Sequence, residues 1–164
     1  MKQPNLYNTL TKSIEPLNTK EPGKVGLYVC GVTVYNLCHI GHARAYVAFD
    51  VLVRALRTLG YSVQYVRNFT DVDDKIINAA NEEGVEALDL ANRYIATFHE
   101  DMRSLGCVEA DVEPRVSTHM TEIITMVEQL IAKGHAYEVQ GDVYFAVRSF
   151  PTYGELSRRD LDDL

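Results

Sequence analysis

Apolar side chains along the chain switch between the spacing of strands and the spacing of helices. Residues 25–30 form a largely apolar run and residues 61–67 alternate apolar with polar side chains, so each segment predicts a strand. From Gly41 onward, apolar residues recur every three or four positions and predict a helix that Gly60 ends. These residues are Ala45, Ala48, Phe49, Leu52, Ala55, Leu56 and Leu59. The strand–helix–strand unit indicates a right-handed crossover between parallel strands.

More helices are predicted after the second strand. The pattern favours a short helix that ends at Gly84 and a longer helix from Val85 to Leu105. A further helix is predicted to start at residues 114–117 and to end at Gly134, with its apolar side chains on one face. Together with the parallel strands, these helices predict an α/β fold.

Antiparallel strands are predicted near both ends of the sequence. Residues 6–17 indicate a short strand or a hairpin, and the stretches 135–139 and 143–147 indicate two strands joined by a glycine turn. The last residues, 157–164, are highly charged and complete no recognisable element. We therefore expect the sequence to continue beyond Leu164.

Composition narrows the class of protein. The chain has 164 residues, 46% of them hydrophobic, which is enough for a buried core. It has no apolar run of about 18 residues that would span a membrane, and no export signal is recognisable. Its net charge of −7 does not favour a large nucleic-acid surface. The widely spaced cysteines at positions 30, 38 and 107 favour reduced thiols and a cytoplasmic location.

A His-Ile-Gly-His motif follows the first predicted strand and opens the first helix. The start of a helix offers unpaired N–H groups that bind phosphate. His39 and His42 lie three positions apart, so both imidazoles can donate hydrogen bonds to one phosphate as negative charge builds on it. The alternative is a structural role in capping or in the core. The preceding strand and the glycine at position 41 favour the phosphate role.

Polar candidates follow both predicted strands. Because parallel strands end at one edge of a sheet, Thr33 and Thr70 are expected to converge on one small polar ligand. Asp71 either contacts a ligand or caps the next helix, whereas capping is favoured for Asp74. By spacing alone, Cys30 is a small apolar residue rather than a metal ligand, because no nearby Cys or His completes a site.

Taken together, the motifs resemble one family. The residues His39-Ile-Gly-His42 resemble the first signature of the class I aminoacyl-tRNA synthetases, and residues 28–38 are similar to the cysteinyl-tRNA synthetase family in particular. The resemblance covers essentially the whole chain and continues through residues 65–76, 132–138, 141–145 and 153–157.

The resemblance implies a fold and an activity. It implies the first half of a Rossmann-like parallel-sheet catalytic domain over residues 1–111, followed by the start of an α+β connective insertion over residues 112–164. It also implies activation of cysteine with ATP and Mg²⁺, then transfer of the cysteinyl group to tRNA(Cys). Two alternatives remain: a ligase that joins cysteine to a small amine, and a stand-alone, non-catalytic paralogue that acts as a binding module.

The resemblance also implies roles for single residues in binding ATP. His39 and His42 would bind the ATP phosphates and stabilise the transition state of activation. Gly41 would let the adenine and ribose approach the backbone. Most contacts with tRNA, and the second signature of the class, would lie beyond residue 164, so this chain by itself is expected to be inactive.

For the amino acid, the resemblance implies a pocket lined by Gly31, Thr33 and Thr70. It makes Cys30 a zinc ligand, with the remaining ligands expected beyond residue 164. Zinc binds a thiolate strongly and a serine hydroxyl poorly, which would select cysteine.

Overall fold

The computed structural model describes residues 2–163 of the chain. These residues group into two compact units. The first consists mainly of residues 18–119, and the second combines residues 4–17 with the chain from residue 120 onward. The division into functional domains between residues 111 and 112 stays a prediction. Within the described range, the helices are too short or too polar to cross a membrane.

The first unit is built on a parallel pair of strands. Strand β3 (Lys24–Val29) pairs with β4 (Ser62–Arg67) in parallel, and helix α1 (Ile40–Thr58) connects them. The predicted crossover unit is therefore confirmed. The buried face of α1 differs from the predicted one, because the helix buries Tyr46, Asp50, Val53 and Leu56.

The burial of Asp50 accounts for the difference between the predicted and the observed buried face of α1. Asp50 is 9% exposed, and its carboxylate accepts the Val108 N–H and the Arg54 Nε–H, each at 2.7 Å. Burial acts to raise the pKa of Asp50, but these hydrogen bonds outweigh burial and lower it. A polar side chain thus occupies the core-facing side of a helix, while Ala45 and Ala48 face solvent.

Two helices lead from β4 to a further extended segment. Helices α2 (Asp74–Glu83) and α3 (Ala87–Ser104) confirm the predicted pair, and Gly84 ends α2 in the left-handed conformation. The chain then returns in residues 111–116 and runs parallel to β4 on the side away from β3. The sheet of the first unit is thereby extended past its two regular strands.

The predicted helix start at residues 114–117 is wrong. The Arg67 N–H donates to the Val112 carbonyl at 3.0 Å, and the Phe69 N–H donates to the Pro114 carbonyl at 2.9 Å. The edge of β4 needs hydrogen-bond partners, and the residue before a proline favours extended backbone. Pairing with β4 therefore prevails over local helix signals.

A buried cation lies behind β4. Arg67 is 2% exposed and forms an ion pair with Glu113, which also lies 2.8 Å from His99 Nε2. The guanidinium carbon of Arg67 is 4.6 Å from the centroid of the Phe98 ring and 5.3 Å from that of Tyr46. These contacts hold the end of β4 against α1 and α3.

The second unit contains two hairpins and a helix. Strands β1 (Asn5–Asn8) and β2 (Ser13–Pro16) form an antiparallel hairpin, as the hairpin alternative predicted. Helix α4 (Met120–Ala132) precedes strands β5 (Ala136–Val139) and β6 (Asp142–Phe145), which pair antiparallel around a glycine turn as predicted. Two short 3₁₀ turns follow, at Val147–Ser149 and Leu161–Asp163.

Candidate active site

The loops after β3 and β4 lie side by side. Thr33 and Thr70 form a parallel bridge, in which the Thr70 N–H donates to the Val32 carbonyl at 3.0 Å. The Val34 N–H donates back to the Thr70 carbonyl at 3.2 Å. The two threonines that the sequence places after neighbouring strands are therefore adjacent.

Asn68 joins the end of β4 to the loop after β3. Its Oδ1 atom accepts the Gly31 N–H at 2.8 Å and the Tyr28 hydroxyl at 2.9 Å. Both bonds cross from one strand end to the other, so they hold the backbone at Gly31 in place. Sequence reasoning missed Asn68, although its position directly after β4 is the available signal.

His39 and His42 form a reciprocal cap at the start of α1. The Nδ1 atom of His39 accepts the Gly41 N–H at 3.0 Å, and Nδ1 of His42 accepts the His39 N–H at 3.2 Å. Their ring centroids lie 4.0 Å apart. A β-carbon at position 41 would lie 2.7 Å from His39 Cε1, so glycine leaves room for the capping ring. The cap satisfies N–H groups that have no partner within the helix.

These hydrogen bonds decide which ring nitrogen carries the proton. A nitrogen that accepts a backbone N–H bears no proton, so the neutral form of each ring is protonated on Nε2. Partial burial, and then repulsion from His39, lowers the pKa of His42 and favours its neutral ring at pH 7. The helix start therefore orients two Nε2–H donors.

A cavity of about 340 Å³ opens beside these imidazoles in the first unit. The loop after β3, the start of α1 and one residue of α2 line it. The lining residues are Gly31, Val32, Thr33, Tyr35, Asn36, Leu37, His39, His42, Tyr46 and Lys75. Candidates for the amino-acid pocket and candidates for phosphate binding thus meet at one space, whereas Thr70 lies beside Thr33 outside the lining.

Cys30 is exposed and directly precedes Gly31 of the cavity lining. Its carbonyl accepts the Tyr46 hydroxyl at 3.2 Å, and burial raises the pKa of Tyr46 to about 12. Tyr46 therefore stays protonated and holds the end of β3 against α1. Sequence reasoning also missed Tyr46, which is not among the apolar positions predicted for α1.

The other cysteines are less accessible. Burial, followed by the negative charge of Asp101, raises the pKa of Cys38 to about 11, and burial raises that of Cys107. Protonated thiols are poor metal ligands. Across residues 2–163, no three His, Cys, Asp or Glu side chains lie close enough together to hold a metal ion. Cys30 therefore offers one possible ligand of an incomplete set.

The aspartates after β4 have roles that differ from the predicted ones. Asp73 caps α2, because its Oδ1 accepts the Lys75 N–H at 2.8 Å. Asp71 is 2% exposed and accepts both the backbone N–H and the hydroxyl of Ser117, at 3.0 and 2.5 Å. The cap favoured for Asp74 is wrong, since Asp74 is the first residue of the helix.

A larger cavity of about 700 Å³ lies in the second unit. Leu10 and residues between Arg148 and Leu161 line it. One of the arginines in the lining, Arg148, forms an ion pair, because its guanidinium nitrogen lies 2.5 Å from the Asp162 carboxylate. None of the residues that the sequence singles out for catalysis or binding lies there, so the smaller cavity is the candidate site.

Comparison with known proteins identifies the family to which these features belong. The chain is 57% identical over 159 residues to a cysteine–tRNA ligase of Trichlorobacter lovleyi and 58% identical over 159 residues to one of Pelobacter propionicus. Each match covers 97% of this chain, and 33% and 32% of these relatives respectively. The chain thus spans about a third of the length of the curated relatives it matches.

A solved structure shares the fold. The LeuRS of Agrobacterium radiobacter K84, solved in a ternary complex with tRNA and LeuAMS, matches with a TM-score of 0.63 and 25% identity. The match covers 73% of this chain and 16% of that chain. Together with the parallel strands, this confirms the predicted Rossmann-like α/β class. Residues 16–164 match the sequence model of the "tRNA synthetases class I (C) catalytic domain", so the chain belongs to that family.

Proposed function

We propose that the protein containing this chain is a cysteine–tRNA ligase, which forms cysteinyl-adenylate from cysteine and ATP and transfers the cysteinyl group to tRNA(Cys). The observation that carries this proposal is the pair of capped imidazoles in the lining of the cavity, whose Nδ1 atoms accept backbone N–H groups. The cysteine–tRNA ligase relatives favour this function over both a small-amine ligase and a non-catalytic binding module.

In the first step, the cysteine carboxylate attacks the α-phosphorus of ATP and pyrophosphate leaves. Negative charge builds on the phosphate oxygens during this displacement. His39 and His42 donate from Nε2 to these oxygens, and because the helix cap holds the rings, they need not reorganise as the charge develops. Gly41 lets the nucleotide approach the start of α1, and we expect ATP to enter together with Mg²⁺.

The amino acid occupies the part of the cavity nearest the strand ends. Gly31 and Thr33 line it there, and Thr70 supports Thr33 from the neighbouring loop. Asn68 holds the Gly31 backbone through the hydrogen bond to its N–H, which sets the position of this part of the lining.

Cys30 would supply one thiolate to a zinc ion, with the remaining ligands in parts of the protein outside this chain. Such a zinc ion binds sulfur far better than a hydroxyl, and would select cysteine over serine. We therefore expect this chain alone to hold zinc weakly or not at all. Tight binding of one zinc ion per isolated chain would contradict this ligand assignment.

Transfer of the cysteinyl group uses the 3′ end of tRNA(Cys). The net charge of −7 does not favour a large tRNA surface on this chain, so we expect most tRNA contacts in other parts of the protein. As a translation enzyme, the protein would act in the cytoplasm.

Exchange of labelled pyrophosphate into ATP by the whole protein tests this function. We expect exchange that depends on cysteine and is at least about 100-fold weaker with serine. Charging of tRNA(Cys) with labelled cysteine tests the second step. Exchange without charging, together with transfer of cysteine to a small amine, would favour the amine ligase instead; absence of exchange would overturn the proposal.

A further inference from the structure

Lys75 adds a positive charge to the cavity that the proposed mechanism leaves unassigned. It lies in the first turn of α2 and lines the cavity together with His39 and His42. No aspartate or glutamate is among the described lining residues, so Lys75 supplies the charge there at neutral pH. One lysine and no carboxylate in the lining favour an anionic ligand, in a chain whose net charge is −7.

The place of Lys75 is unfavourable for the helix itself. A helix N-terminus carries the positive end of the peptide dipoles, which disfavours a cation. Within the described residues, the Lys75 ammonium forms no ion pair with a carboxylate, and Nζ lies 5.7 Å from the centroid of the Tyr35 ring. Asp73 already accepts the backbone N–H of Lys75. Among the described residues, this ammonium thus has an aromatic contact but no carboxylate partner in an ion pair.

We propose that Lys75 binds a phosphate group of ATP, an inference that rests on the proposed function. A lysine ammonium is a compact charge that commonly binds phosphate. The Tyr35 ring provides a face over which the ammonium stays near the cavity before ATP arrives. The cysteine carboxylate is the other substrate anion, but the two imidazoles in the same lining favour the triphosphate.

Binding of ATP to the whole protein, measured by calorimetry without cysteine or tRNA, tests this inference. The variants are Lys75→Met, Lys75→Arg and, as a matched control, Lys20→Met, which removes an exposed lysine outside the cavity lining. We expect Lys75→Met to weaken ATP binding about tenfold and adenosine binding less than about twofold. Lys75→Arg is expected to retain most of the affinity, and Lys20→Met all of it.

ATP binding by Lys75→Met within about twofold of the unaltered protein would overturn the inference. An equal loss for ATP and adenosine would also overturn it, since adenosine has no phosphate. In pyrophosphate exchange, a higher KM for ATP in Lys75→Met supports the inference. A rise confined to the KM for cysteine would mean that the ammonium binds the cysteine carboxylate, and would overturn the inference. Because ATP binding is measured without the amino acid, absence of exchange by the unaltered protein would count against the proposed function alone.

Discussion

The backbone of Gly31 lies so close to Asn68 that a β-carbon at position 31 would come within 1.5 Å of the Asn68 carbonyl oxygen. Backbone on both sides would have to move to admit an alanine, and the bond from the Gly31 N–H to Asn68 Oδ1 would break. We expect Gly31→Ala to lower the free energy of unfolding by about 3 kcal/mol, measured by urea denaturation. Gly26→Ala is the control, because among the described residues no atom outside its own chain neighbours lies within 4 Å of its added carbon. Equal stability of the two variants would refute the close approach.

Replacement of His39 separates its capping role from its role toward phosphate. Asparagine also accepts N–H bonds at a helix start but has no Nε2–H donor. We expect His39→Asn to retain stability within about 1 kcal/mol and to lower the rate of pyrophosphate exchange about 100-fold. His39→Ala also removes the helix cap, so its free energy of unfolding should be about 1 kcal/mol lower than that of His39→Asn. Normal exchange in His39→Asn would show that His39 serves only as a cap.

Gly41→Ala tests whether the position of the His39 ring matters for activity. Alanine stabilises a helix relative to glycine by about 1 kcal/mol, which offsets the loss of a cap of similar size. The added carbon would nevertheless lie 2.9 Å from His39 Nδ1 and displace the ring. We therefore expect nearly unchanged stability but a marked fall in pyrophosphate exchange. Full activity in a stable variant would contradict the need for glycine at this position.

The two histidines should show a defined tautomer and an acid-sensitive cap. Because the pKa of His42 is lower in the folded protein than its ordinary value of 6.5, protonation favours the unfolded chain. The cap contributes fully to the free energy of unfolding above about pH 6.5. This contribution is lost as the pH falls through the lowered pKa of His42.

Nitrogen chemical shifts of labelled histidine, followed with pH, check this expectation. Neutral His39 and His42 should carry the proton on Nε2. His119 is an internal comparison: its Nδ1 lies 2.9 Å from the Arg115 carbonyl, which can only accept, so a hydrogen bond there requires a proton on Nδ1. Its neutral ring should therefore show the opposite tautomer. An Nδ1 proton on neutral His42 would contradict the cap.

We expect unequal effects from replacing the two members of the buried ion pair between Arg67 and Glu113. Glu113→Ala leaves the charged Arg67 in the core without its carboxylate partner. We expect this change to lower the free energy of unfolding by about 3 kcal/mol. Arg67→Met should cost less than about 1 kcal/mol, because methionine packs well against aromatic rings and Glu113 keeps its contact with His99. Urea denaturation of both variants gives the comparison. A larger loss for Arg67→Met than for Glu113→Ala would contradict the expectation that an unpaired buried charge is the greater cost.

Local spacing in the sequence determined the regular elements of the first unit. The period of the apolar residues predicts β3, α1 and β4, and Gly60 and Gly84 mark the helix ends, because these signals act within a few residues of each other. The spacing of His39 and His42 likewise requires only one helical turn. The family motifs add the expected roles, since they are local strings of residues.

Tertiary structure decided the features that depend on distant partners. Residues 111–116 extend the sheet because the free edge of β4 offers them hydrogen bonds. Asp71 is buried because it bonds to Ser117, which lies 46 positions away. Lys75 reaches the cavity because the loops after β3 and β4 lie together. Hydrogen bonds and charges across such separations leave no period in the sequence, so only the folded chain shows them.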